Sequence, residues 1–110
     1  MSVFMKLIIR EEVRIEKMLS EYIKELKSLP KGKITPKIVN GKTYYYLYYR
    51  DGKKVVSKYI GKDCENLTSI SDQLTRRSQI EEIIRKLEEE KKKIKKMEAM
   101  LWYYIMVVIW

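Results

Sequence analysis

"KITPKIVNGKTYYYLYYRDGKKVVSKYIG", residues 33–61, decides the fold. Asn40-Gly41 and Asp51-Gly52 punctuate it. Both are hairpin signals, because a two-residue turn that matches the twist of its flanking strands needs positive φ. They predict three strands, at about 33–39, 42–50 and 53–60, in an antiparallel meander. Pro36 has no amide proton to give to a ladder, so the first strand belongs at an edge.

The turns also predict a register. The first pairs Val39 with Lys42, Ile38 with Thr43 and Ile34 with Leu47. The second, with Asp51-Gly52 as its loop, pairs Arg50 with Lys53, Leu47 with Val56 and Tyr44 with Tyr59. Side chains alternate faces, so this register sorts the sheet. One face collects Ile34, Pro36, Ile38, Thr43, Tyr45, Leu47, Tyr49, Val56 and Ile60, with Lys54 and Lys58. It carries most of the aliphatic residues and is expected to pack on helices. The other collects Lys33, Thr35, Lys37, Tyr44, Tyr46, Tyr48, Val55, Ser57 and Tyr59, a tyrosine surface rimmed by lysine. Tyr44, Tyr46 and Tyr48 are therefore expected to be exposed, and Tyr45, Leu47 and Tyr49 buried.

Charge is concentrated in the same region. Of a net +9, residues 30–62 hold +8, with nine basic side chains against Asp51 alone. Residues 1–29 hold six basic and five acidic groups, and residues 63–110 hold nine of each. Solubility alone does not need such segregation. A focused basic patch is the electrostatic footprint of a phosphate-bearing or acidic partner. A basic, aromatic sheet can enter a DNA major groove or offer stacking platforms to a single strand. The candidate nucleic-acid contacts are Lys33, Lys37, Tyr44, Tyr46, Tyr48, Arg50, Lys53 and Tyr59. The competing explanation is that the outer tyrosines are simply good strand formers in cross-strand pairs.

Helices flank the meander. Ile8, Ile15, Leu19, Tyr22, Leu26 and Leu29 recur at spacings of three, four and seven, predicting an amphipathic helix from about Val3 to Leu29 that Pro30 and Gly32 end. Ile80, Ile83, Leu87, Ile94, Met97, Leu101, Tyr104 and Val108 fit a second seam, with Glu90 as its polar interruption. Ser78 with Glu81, and Ser69 with Asp72, read as capping boxes. They predict a continuous helix from about Ser78 and a shorter helical lead-in between Asp63 and Arg77. The run "EEEKKKIKK", residues 88–96, has the spacing of surface ion pairs that support a helix.

The apolar stretch "AMLWYYIMVVIW", residues 99–110, makes a helix of about 18 Å, short of the about 20 residues a bilayer requires. A matching patch, Val3 to Ile9, lies near the start of the chain. In an antiparallel pair Leu7 is expected near Trp102 and Val3 near Met106. The two patches then close on each other, and the leftover face supports a homodimer. Contact with a membrane is the minor alternative.

Composition narrows the chemistry. There is no histidine and a single cysteine, Cys64. That removes the commonest general base, ordinary zinc sites and an internal disulfide. A lone thiol suits a reducing, cytoplasmic setting, with packing as its default role. The first residues lack a basic-then-apolar signal pattern. The acids sit at helix-surface spacing among lysines, so neither an enzyme nor a cofactor is implied.

The segment "YYYLYYRDGKKVVSKYIGK", residues 44–62, resembles a repeated tyrosine-rich segment of small uncharacterised prokaryotic and mobile-element proteins. These carry "LPKG" before it, as at residues 29–32, and a charged helix after it. A similar segment opens some transposases. That resemblance implies DNA contact without a catalytic core.

The reading is therefore α+β, one domain of 110 residues: a helix (1–29), a basic meander (30–62) and a helical region (63–110), the two helices forming an antiparallel coiled-coil-like stalk. The expected role is non-catalytic binding of DNA or RNA, as a homodimer. One alternative is a protein-interaction module, such as a phage-type, anti-CRISPR-like inhibitor of a host nucleic-acid enzyme. The other is a structural coiled-coil assembly protein.

Overall fold

A computed structural model describes residues 2–62 and 64–109, with only the backbone of Cys64 and Glu65. The packing role expected of Cys64 therefore lies outside the described residues. Helix α1 spans Val3–Ser28 and helix α2 spans Cys64–Ile109. Between them in the chain run β1 (Lys33–Val39), β2 (Lys42–Asp51) and β3 (Lys54–Gly61), an antiparallel sheet of order β1-β2-β3. The layout is α+β. The chain divides into two compact units, one made of the residues up to Glu25 with those from Glu81 onward, the other of Leu26–Ile80.

In the first unit α1 and α2 run antiparallel. Ile15, Leu19 and Leu87 are buried together, with Met18, Tyr22, Ile83, Ile84 and Ile94 packed against them. Each such side chain contributes roughly 1.5–3 kcal/mol when fully buried, far more than helix propensity does. Lys91 Nζ pairs with Glu16 Oε1 at 2.6 Å, and Lys95 Nζ lies 4.0 Å from Glu12 Oε1. The α1 seam is Met5, Ile8, Glu12, Ile15, Leu19 and Tyr22, alternating steps of three and four. At the start of α1 the Ser2 hydroxyl accepts a hydrogen bond from Met5 N at 3.1 Å, capping a free amide.

Three helical expectations need correction. The helix predicted to begin near Ser78 is continuous from Cys64, 46 residues in all. Ser69 and Ser78 lie inside it, because no glycine or proline between 62 and 110 gives the helix a reason to stop. The seam also departs from its predicted path. From Ile80 onward the buried or half-buried positions are Ile80, Ile83, Ile84, Leu87, Lys91, Ile94, Glu98, Leu101 and Ile105. Ile83 keeps its predicted place, and the stripe from Ile80 through Ile84 to Ile105 steps four and three, so Lys91 and Glu98, rather than Glu90, are the polar members. Met97, Tyr104 and Val108 are exposed. The two apolar patches do not close as predicted either: Met5 and Ile8 are buried, but Val3, Leu7, Trp102 and Met106 are exposed.

In the second unit the first turn behaves as predicted. Asn40 and Gly41 have φ of 52° and 79°, the pattern of a type I′ turn, and Val39 pairs with Lys42 through to Lys33 with Tyr48. The second turn is placed differently. Its loop is Gly52-Lys53, with positive φ at Gly52 alone, so Asp51 pairs with Lys54 and Arg50 with Val55. This is the glycine-first pattern of a type II′ turn. The pairing slides by two residues, so Leu47 faces Lys58 rather than Val56, and Tyr46 rather than Tyr44 faces Tyr59. A slide of two preserves the period of alternation, and both faces keep their members. A bulge follows at Tyr45/Tyr46, where Tyr45 pairs with Gly61 and Ile60 is the extra residue.

The connection from α1 to β1 is locked from two sides. Gly32 has φ of 124°, and a Cβ there would lie 2.3 Å from the Tyr48 carbonyl oxygen. Only glycine fits that approach. Arg77 Nη1 donates to the carbonyls of Leu26 and Leu29 at 3.0 and 3.1 Å, joining the Leu29 N–H that donates to Leu26 O at 3.2 Å at the end of α1.

Candidate nucleic-acid interface

The site grows from strand alternation. Odd positions of β1 and even positions of β2 share a face, and the register adds Val55, Ser57 and Tyr59 from β3. Three rows cross the sheet: Lys37 beside Tyr44; Thr35, Tyr46 and Tyr59; Lys33, Tyr48 and Ser57. Arg50 stands beyond them, opposite Val55. Seven of the eight sequence-predicted residues thus stand on one surface. Lys53 is the exception: it lies in the Gly52-Lys53 loop, exposed, and the ladder does not set its direction. Lys42, opposite Val39, joins the surface, giving it four basic strand residues and no acidic one. Asp51 falls on the other face.

The outer tyrosines form one cluster. Tyr46 and Tyr59 have ring centroids 5.4 Å apart, Tyr44 and Tyr59 6.2 Å, and Tyr46 and Tyr48 6.4 Å. The interplanar angles are 41–58°, near the tilted arrangement that ring quadrupoles favour. This packing corrects two expectations. Tyr44, Tyr46 and Tyr48 are half-buried rather than exposed, since each covers part of a neighbour. Tyr59 remains 48% exposed. On the opposite face Leu47 is buried as predicted, but Tyr45 and Tyr49 are only half-buried.

Cations sit directly on these rings. Lys37 Nζ lies 5.9 Å from the Tyr46 centroid, and Lys62 Nζ lies 4.9 Å from that of Tyr44. Each contact is attractive by roughly 0.5–1 kcal/mol and holds an ammonium at the surface of the cluster. Sequence reasoning missed Lys62, which follows β3 just beyond the bulge. The tilt matters chemically. Successive bases stack on rings parallel to them, and these rings are not coplanar. The surface offers hydroxyl groups, ring edges and ammonium groups, which suit a phosphate–sugar backbone better than a run of stacked bases.

Among the described residues no group of three His, Cys, Asp or Glu is arranged to hold a metal ion. No described helix is long and apolar enough to cross a membrane. The perturbed titrations fall on α1 and α2. Glu11 is held below the usual carboxylate range by its hydrogen bond to Arg14, and Glu82 by its bond to Arg85. Glu98 is pushed up by its hydrogen bond to Glu12, then by burial and the charge of Glu12, with Lys95 opposing.

Residues 6–68 match the family described as a domain of unknown function, DUF6788, and the chain belongs to that family. The matched stretch takes in most of α1, the whole sheet and the first residues of α2. No curated protein and no solved structure matches the chain.

Proposed function

We propose that this member of the DUF6788 family is a non-catalytic nucleic-acid-binding protein that docks its outer sheet face on a DNA or RNA backbone. The observation that carries the reading is the composition of that face: four packed tyrosines, ammonium groups on their rings, and no acidic strand residue. Lys33, Lys37, Lys42, Lys62 and Arg50 neutralise phosphates, while Tyr44, Tyr46, Tyr48 and Tyr59 set the fit. The resemblance to the opening segment of some transposases points the same way. A single cysteine is in keeping with a cytoplasmic setting. Fluorescence anisotropy with labelled duplex DNA, single-stranded DNA and RNA tests the reading. Backbone docking predicts duplex binding at least as tight as single-strand binding; preference for single strands by more than about tenfold would point to base stacking instead.

The protein acts as a homodimer in this reading. Met100, Tyr103, Tyr104, Val107 and Val108 of α2 are exposed, and so are Val3, Phe4 and Leu7 of α1. Exposed apolar surface on this scale marks a contact. Residues 99–109 carry no charge with which to select an acidic or basic partner, which favours a second copy of the same apolar surface.

A further inference from the structure

The other face of the sheet borders a cleft of about 440 Å³ within the Leu26–Ile80 unit. Leu29, Pro30 and Leu47 give it apolar walls, and Tyr49 supplies a half-buried ring. Four cations line it: Lys27 from the end of α1, Lys31 from the connection, Lys58 from β3 and Arg77 from α2. None of the lining residues is acidic. Lys31 Nζ lies 5.9 Å from the centroid of the Tyr49 ring. The bonds from Arg77 Nη1 to Leu26 and Leu29 hold its guanidinium at the wall.

The three lysines come from separate segments to one cleft and repel one another, and an anion among them removes that cost. The volume falls in the range of small-ligand sites, and the lining combines apolar walls with a few convergent charged groups. We propose that this cleft binds a nucleotide, its phosphates held by Lys27, Lys31, Lys58 and Arg77 and its base packed on Tyr49. The nucleotide is either free or the phosphorylated terminus of a strand. The site is independent of the outer face, because Leu47, Tyr49 and Lys58 point to the opposite side of the sheet from Tyr46 and Lys37.

The test is calorimetric titration of the full chain with ATP, inorganic pyrophosphate and adenosine. Anisotropy with 5′-phosphorylated and 5′-hydroxyl forms of one short oligonucleotide runs in parallel. Lys58 and Lys31 are exposed, so Lys58→Glu and Lys31→Ala are expected to fold, as circular dichroism can verify. ATP and pyrophosphate are expected to bind, and adenosine far more weakly. Lys58→Glu is expected to raise the Kd at least about tenfold, the loss of one charge-assisted hydrogen bond. Lys37→Glu, on the opposite face, is expected to change the Kd for ATP and pyrophosphate by less than about twofold. If only the 5′-phosphorylated oligonucleotide binds with this sensitivity to Lys58, the ligand is a strand terminus. The proposal is overturned if no phosphate probe responds to Lys58→Glu or Lys31→Ala, or if Lys37→Glu weakens binding of ATP and pyrophosphate as much as Lys58→Glu does.

Discussion

Replacing Leu47 by Ala tests the sorting of the sheet into two faces. Leu47 is the one buried residue of β2, 5% exposed, paired with Ile34 on one side and Lys58 on the other. Truncation to Ala removes three carbons, worth about 0.8 kcal/mol each in transfer alone. The unfilled space adds to this, so the expected loss is about 3–4 kcal/mol. Tyr46, next in the chain, faces the other way. Tyr46→Phe keeps both ring contacts and removes only a hydroxyl at a half-buried site, so about 0.5 kcal/mol or less is expected. Urea denaturation followed by near-ultraviolet circular dichroism reads the sheet, since six of the nine tyrosines lie on β2 and β3. With a slope of about 1–3 kcal/mol per molar urea, Leu47→Ala should move the midpoint down by about 1–4 M. Tyr46→Phe should barely move it. A midpoint lowered as much by Tyr46→Phe as by Leu47→Ala would refute the face assignment.

Gly32→Ala forces a side chain against the Tyr48 carbonyl, and the backbone strain alone costs about 1–3 kcal/mol; its thermal midpoint should fall further than that of Gly41→Ala, where a Cβ meets open space. Glu98→Gln probes the carboxyl pair on the α1–α2 seam, whose neighbours are Glu12 and Lys95. Because the folded pKa of Glu98 is raised above 4.5, the unfolded chain releases this proton first, and stability falls as pH rises from about 4.5 through the folded value. Melting curves read by tryptophan fluorescence should show that decline in the wild type and a flatter profile in Glu98→Gln. Light scattering should give twice the 13.3 kDa chain mass, and Val107→Glu should return the monomer mass; a wild-type monomer at high micromolar concentration would rule out the dimer.

The meander was legible because its signals agree: alternation, two glycine turns and an edge proline all place strands in the same residues. The second turn was misplaced because Asp51-Gly52 resembles a loop as strongly as Gly52-Lys53 does. The faces survived only because the error was even. The break predicted at Ser78 came from a capping pattern that a helix ignores when nothing stops it. From Met97 on, every residue except Glu98 is apolar, so composition offers no preferred seam, and the true one passes through that glutamate. Lys62 and Arg77 escaped notice because their roles depend on partners distant in sequence: the bulge that brings Lys62 over Tyr44, and the carbonyls of α1 that Arg77 reaches.

The most direct test of nucleic-acid binding by the outer face is the salt dependence of anisotropy with labelled duplex DNA, for the wild type and Lys37→Ala. Lys37 sits over the Tyr46 ring, exposed. The wild type should bind with a log–log salt slope set by the number of phosphates it neutralises, and losing one contact should reduce that slope by about 0.9. A folded protein that fails to bind at low salt, or a Lys37→Ala slope equal to that of the wild type, would contradict the account.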